Sequence, residues 1–308
     1  MTSPLDHVRR LFPQPGPPGL VERAAITVNF HPDRLLADGV TVAEHLAADG
    51  AYYSQFRTGI SNGGLGGDRD RWEQRMFPGL TDRPIYGALN LAAHPDGAAP
   101  RFGSCHLVLA PAVSARATFS HGDSVTLPSV VGTADTFGAV WAALLDQVTT
   151  TGQALNRPAA SAAEWVAALG AARSGPGRAL DDYVEAQVHG GLRVPGDVTA
   201  VVADASFRRT GFAPLLSRLG RELRWSPAFR LPPDQFPPDL RGPAVPPLAR
   251  FIGARYRAAV LDAAVIGPAA RSVVRDPAPW TSFGSPAEVL QLIKYLWHIL
   301  VLRGEWSA

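Results

Sequence analysis

Residues 183–189 read Tyr-Val-Glu-Ala-Gln-Val-His, and Gly190-Gly191 follow. Side chains alternate between faces along a strand. Read as a strand, the segment puts Tyr183, Glu185, Gln187 and His189 on one face and Val184, Ala186 and Val188 on the other. A carboxylate flanked by an amide and an imidazole suits an active-site wall. The solvent-facing side of an edge strand satisfies the same alternation.

Upstream of this segment, β-rich and helical patterns are mixed. Residues 24–30 (AAITVNF), Pro84–Leu91, Phe102–Ala110 and Arg116–Phe119 read as strands. Thr41–Asp49 reads as a helix with Gly50 at its C-terminal cap. Asp68–Phe77, Thr133–Thr149 and Ser161–Arg173 also read as helices, and Ser61–Gly67 as a loop. Downstream, the period turns helical over Val198–Ala203, Phe212–Leu223, Ala249–Val265 and Pro286–Arg303. The proline-rich run at 231–247 reads as an ordered wrap or linker. Leu290, Ile293, Trp297 and Leu300 form one apolar stripe on the last helix, as core packing requires. The expected fold is α+β: a mixed or antiparallel sheet with a mainly helical C-terminal third. The expected division is a lead-in at 1–23, an α+β domain at 24–195 and a helical region at 196–308 packed on it.

Composition narrows the function classes. The 308 residues suffice for a substantial core, and a formal net charge of +2 implies no polyelectrolyte partner. Lys294 is the only lysine, so lysine chemistry is excluded over nearly the whole chain. A single cysteine, Cys105, rules out an intramolecular disulfide. The N-terminus lacks a basic end followed by an apolar core, and no run is long and apolar enough to span a bilayer. These features lead to the expectation of a cytoplasmic enzyme without a membrane partner.

Polar residues cluster between His31 and Ser124. His31-Pro-Asp-Arg34 follows the strand at 24–30, where a rigid element aims side chains. Ser54–Gly64 (SQFRTGISNGG) combines hydroxyl, amide and guanidinium groups with glycines, which suits a nucleotide's ribose and phosphates. It lacks the Gly-Lys-Ser/Thr end of a phosphate-binding loop. Tyr86-Gly87 and Arg101-Phe-Gly103 place glycine beside bulky residues, marking close approach of a ligand or of a second backbone. His106, mid-strand, reads as a satisfied histidine.

The motifs ITVNFHPDR, QFRTGISNGG, GGDRDRWEQRMF, RPIYGALNL, RFGSC and YVEAQVHGGL resemble signatures of an uncharacterised bacterial domain family, spread over roughly residues 24–300. That resemblance brings no activity with it. Their order also resembles the ADP-ribosyltransferase superfamily, including its DNA-modifying toxin branch. The second resemblance implies a split-sheet core and NAD as substrate. It implies His31 at the first-strand position, Thr58 with Ser61 at the second, Tyr86 stacked on nicotinamide and Glu185 as the catalytic carboxylate. Many such enzymes carry Gln or Glu two residues before that carboxylate, where this chain has Tyr183. Gln187 is the other residue that would fit the catalytic position.

The chemistry can be argued from the residues themselves. Cleaving the nicotinamide–ribose bond creates an oxocarbenium-like sugar, which a carboxylate stabilises. Arg34 and Arg57 are candidates to clamp the pyrophosphate. Gln55, Thr58, Ser61 and Gln187 supply further polar contacts. ADP-ribose would pass to a protein, a nucleic acid, a small molecule or water. Two other classes fit the same residues. One is a metal-dependent hydrolase using His31, Asp33, His106 and His189, although no HExxH-type spacing supports it. The other is a nucleotide-binding module without catalysis.

Overall fold

A computed structural model describes residues 3–54, 57, 67–80, 82–171 and 177–307. The loop expected at 61–66, and Gln55, Thr58 and Ser61 within the polar run, lie outside the described residues.

Among the described residues, eight strands form the main sheet. They are β1 (Ile26–Phe30), β2 (Ile85–Leu89), β3 (Cys105–Leu109), β4 (Ala117–His121), β5 (Val131–Thr133), β6 (Val184–Val188), β7 (Val198–Asp204) and β8 (Leu223–Ser226). Their order is β8-β7-β3-β1-β2-β6-β4-β5. Among the described residues only the β7–β8 pair of this sheet is parallel, so the fold is α+β with a mixed main sheet.

Register gives this sheet two chemically different faces. One row of Cα partners runs Ala200, Val108, Thr27, Ala88, Glu185, Ser120, Val131. Residues two positions along from this row share its face, which adds Asn29, His106, Tyr86, Gln187 and Thr118. The opposite face carries Val28, Phe30, Leu89, Leu107, Phe119, Val184, Ala186, Val188 and Val201, all buried in one continuous core. Helices α2 (Val42–Asp49), α4 (Gly138–Thr151), α6 (Val245–Tyr256), α7 (Ala263–Arg275) and α8 (Pro286–Arg303) contribute to that core. A smaller apolar cluster forms where α3 (Gly67–Met76) packs Trp72 and Met76 with Val8 of α1 (Pro4–Leu11), Phe77 and Val131. A short α5 (Ala162–Ala168) buries Trp165 against α4.

Local signals explain the well-read elements. Thr41 and Glu44 form a reciprocal capping box at the start of α2, and Gly50 ends it in the left-handed region at φ 67°. Ser285 and Glu288 form the same box at the start of α8. The strand at Tyr183–His189 is found as Val184–Val188. Gly87 permits close approach of a second backbone: a Cβ there would lie 2.7 Å from the Thr27 carbonyl oxygen.

Three helical readings are corrected. Val198–Ala203 is strand β7, antiparallel to β3. It is buried along nearly its whole length, so its apolar run carries no alternation to separate strand from helix. Within Phe212–Leu223 only Ala213–Leu216 is helical, and Leu223 opens edge strand β8. Pro214 sits in the first turn of that short helix, and Gly220 lies in the turn before β8. Ala249–Val265 is two helices: Arg257 turns left-handed at φ 50° and Asp262 caps α7 by accepting from the Val265 N–H. Strand β5 is three residues long and leaves no periodic signal. The sheet thus continues past residue 196, where the sequence pattern turns helical.

Candidate active site

Glu185 stands on the polar face of β6 and is only 3% exposed. Its Oε1 accepts from the Ser124 N–H at 3.2 Å and from the Gln187 amide at 3.0 Å. The same amide donates to Ser120 Oγ at 3.0 Å, and the Thr118 hydroxyl donates to the Gln187 carbonyl at 2.9 Å. Strands β4 and β6 therefore fix Glu185 and Gln187 as one unit. Alternation alone identifies that pair, since both residues face the same way.

A second carboxylate, Asp123, lies beside it at the end of β4. Asp123 caps the turn Ser124–Thr126 by accepting from the Val125 N–H at 2.8 Å. The Tyr183 hydroxyl donates to it at 2.8 Å, and Arg69 and Arg101 approach at 3.4 and 3.6 Å. Burial raises the Glu185 carboxyl well above the usual carboxylate range, and the charge of Asp123 raises it further. The Arg69 charge and the two hydrogen bonds oppose this without overcoming it.

Tyr86 sits on the same face, but its hydroxyl is already committed to Glu73 of α3. Arg69 lies over the Tyr86 ring at 4.8 Å, and Arg83 pairs with Glu73 at 3.0 Å. Arg69 and Glu73 of α3, with Arg83 from the segment before β2, thus lay an Arg–Glu–Arg set across the polar face. The charged pattern of residues 68–77 points to the helix but not to its contact with Tyr86.

His31 and Arg34 lie beyond the end of β1. The His31 Nδ1 is 3.2 Å from Ser104 Oγ, and its ring meets the Trp297 ring edge-on at 5.1 Å. Burial lowers its pKa to about 3, so it is neutral at neutral pH. Thr27 shares Glu185's row two strands away, and His31 lies four residues further along. Strand spacing and rise then separate His31 from Glu185 by roughly 16 Å. Arg34 is enclosed by protein on most sides yet open to solvent, as on the wall of a cleft. Arg57 places its guanidinium 3.6 Å over the half-buried Tyr53 ring.

The helical third completes this cleft, which sequence reasoning missed. Trp297 of α8 donates its indole N–H to the Pro100 carbonyl at 2.8 Å. That bond places α8 against the turn carrying Arg101 and against His31. Lys294 and His298 flank Trp297 on α8. Arg241 lies 5.7 Å over Tyr295, whose ring is 6.1 Å from that of His298. Arg101, Arg34 and Arg241 all act electrostatically on Lys294, and Asp123 is the acid that offsets them. The only sequence signal is the isolation of Lys294.

The residues of the metal reading do not gather. Asp33 pairs with Arg271 of α7 at 3.1 Å. His189 contacts Thr118 Oγ1 at 3.1 Å and the Phe77 ring at 5.0 Å. His106 makes no hydrogen bond to protein among the described residues. It lines a separate cleft of about 720 Å³ with Thr27, Asn90 and Val108. Among the described residues, no three His, Cys, Asp or Glu side chains are grouped as metal ligands.

No helix among the described residues is long and apolar enough to cross a membrane. No curated protein matches the sequence at a significant level. Residues 25–303, which include the sheet, the Glu185–Gln187 pair and helix α8, match the family described as "Protein of unknown function (DUF3626)", and the chain belongs to that family.

Proposed function

We propose that this protein cleaves the nicotinamide–ribose bond of NAD and transfers ADP-ribose to an acceptor or to water, on a sheet of the ADP-ribosyltransferase kind. In that reaction the C1′–N bond breaks and its electron pair leaves with neutral nicotinamide. The acceptor's nucleophile bonds C1′ and gives up its proton. Glu185 is the observation that supports this reading: a carboxyl on a rigid strand, oriented by Gln187 and the Ser124 N–H and flanked by Asp123 and two arginines. An oxocarbenium-like sugar beside it favours its ionised form.

The roles then divide along the cleft. Glu185 stabilises the ribose cation and Gln187 holds its orientation. Tyr86 meets the nicotinamide after releasing Glu73. Arg34 and Arg57 lie on the phosphate side, with His31 at the far end as a binding group. The acceptor is a protein, a nucleic acid, a small molecule or water.

One observation favours a second reading. Glu185 is nearly inaccessible and its Oε1 already accepts two hydrogen bonds, as in a nucleotide-binding module that never turns over. Incubation with NAD, followed by chromatography for nicotinamide and mass analysis for an ADP-ribose adduct, separates the two. Nicotinamide release that is lost in Glu185→Gln supports the transferase or glycohydrolase. Thermal stabilisation by NAD without release supports the module.

A further inference from the structure

The cleft wall built by the last third of the chain carries charge and hydrogen-bonding capacity that the fold does not use. His298 is 3% exposed, and neither ring nitrogen has a hydrogen-bond partner among the described residues. An imidazole buried without partners loses its water and gains nothing in return. Such a group in a native structure calls for a ligand or another explanation. Lys294, one turn away on α8, and Arg241, over Tyr295, are exposed and form no ion pair among the described residues. By contrast, Arg101 in the same cleft is paired with Asp123 and Asp181. Cations kept near one another against their mutual repulsion, beside a desolvated N–H donor, match an anion with several oxygens.

We infer that Lys294, Arg241 and His298 form the binding wall for a diphosphate group, with the two cations facing its charge and the His298 ring donating to one of its oxygens. This rests on the NAD reading for the identity of the ester, but not for the diphosphate itself. A neutral imidazole has one N–H to give and one lone pair to keep. The donor here therefore serves an anion without His298 having to be charged. The assignment also gives the helical third a role in binding. Trp297 anchors α8 to the turn at Pro100, so α8 holds the diphosphate wall at a fixed distance from Glu185.

The test uses the full chain and inorganic pyrophosphate, with ADP-ribose as a second probe, in calorimetry at two salt concentrations. The expected result is one site per chain, weakened by added salt. Lys294→Met and Arg241→Gln should each weaken pyrophosphate binding about tenfold, equivalent to about 1.4 kcal/mol. Both positions are exposed, so both variants should melt like the parent. Arg10→Gln, on the exposed face of α1, should bind as the parent does. In the parent protein, the ring-nitrogen NMR signals of His298 should shift on adding pyrophosphate. The His298→Phe variant assigns them, and a purely structural histidine would not respond. Absent pyrophosphate binding, unchanged binding in Lys294→Met and Arg241→Gln, or silent His298 signals would each overturn the inference. Pyrophosphate binding through these residues without nicotinamide release leaves it standing and removes the NAD reaction instead. Nicotinamide release with pyrophosphate binding unaffected by the variants does the reverse.

Discussion

At Glu185 two sets of influences compete. Burial beside Asp123 disfavours charge, while Arg69, the Gln187 amide and the Ser124 N–H favour it. The first set prevails, so Glu185 stays a neutral acid into the neutral range. Glutamine has the shape of that neutral acid and keeps the acceptor oxygen that Ser124 and Gln187 use. Glu185→Gln should therefore change folding stability by less than about 1 kcal/mol, measured by thermal or denaturant melting. On the proposed reaction it should lower nicotinamide release about a hundredfold or more, because no ionised oxygen remains to face the ribose cation. A collapse in stability would assign Glu185 a structural charge instead. Parent activity should also rise with pH through the neutral range, since the ionised form does the work. This pair was readable in the sequence because strand alternation places residues two apart on one face. Asp123 and Arg69 were not, since neither belongs to that strand and only the fold brings them to it.

Elements whose caps are written locally were legible, and elements defined by their neighbours were not. The capping residues Thr41 with Glu44 and Ser285 with Glu288 announce α2 and α8 on their own. Strand β7 has no such mark: it is a strand because β3 and β8 flank it, and its apolar run suits either state. The segment over the polar face, residues 94–99, has no regular structure at all. A buried arginine, Arg178, holds it. Arg178 pairs with Asp96 at 2.8 Å and donates to the carbonyls of Gly97 and Ala98 at 2.6 and 2.8 Å. Ala98 in turn donates its N–H to the Thr27 hydroxyl at 3.0 Å, closing the segment onto β1. Removing the arginine leaves the buried Asp96 carboxylate without its cation. Arg178→Met should thus cost about 3–5 kcal/mol in urea unfolding. A loss under about 1 kcal/mol would show that backbone contacts hold this segment. At α8, Trp297→Ala should cost a similar amount, about 3–5 kcal/mol, through the cavity and the lost bond to Pro100.

Across the whole molecule, titratable groups are buried in both directions of shift, and this fixes how stability depends on pH. The site joins residues from both ends of the chain: Trp297 reaches Pro100 across 197 positions, a contact no local pattern could reveal. Assembly of this kind encloses several histidines. Burial lowers His31, His106 and His298 to about 3 and His189 to about 4, against an ordinary value of 6.5. Between those values the unfolded chain binds protons that the folded one refuses, so their contribution is lost as pH falls below the ordinary histidine range. Five carboxyls among the described residues act oppositely, Glu73 and Asp262 among them. Burial raises Asp33 to about 6 and Asp204 to about 7, and Glu185 is raised as well. The folded chain keeps these protons after the unfolded chain has released them, so that contribution is full in acid and is lost as pH rises through the folded values. Below about pH 5 the histidines dominate and above about pH 7 the carboxyls do, so stability should peak at about pH 5.5–6.5. Thermal melts from about pH 4 to about pH 9 at constant ionic strength check this. A melting temperature still climbing above about pH 7 would mean that the carboxyls are ionised in the folded protein, with arginines stabilising them more than burial disfavours them. In that case the neutral acid inferred at Glu185 would fall with the curve.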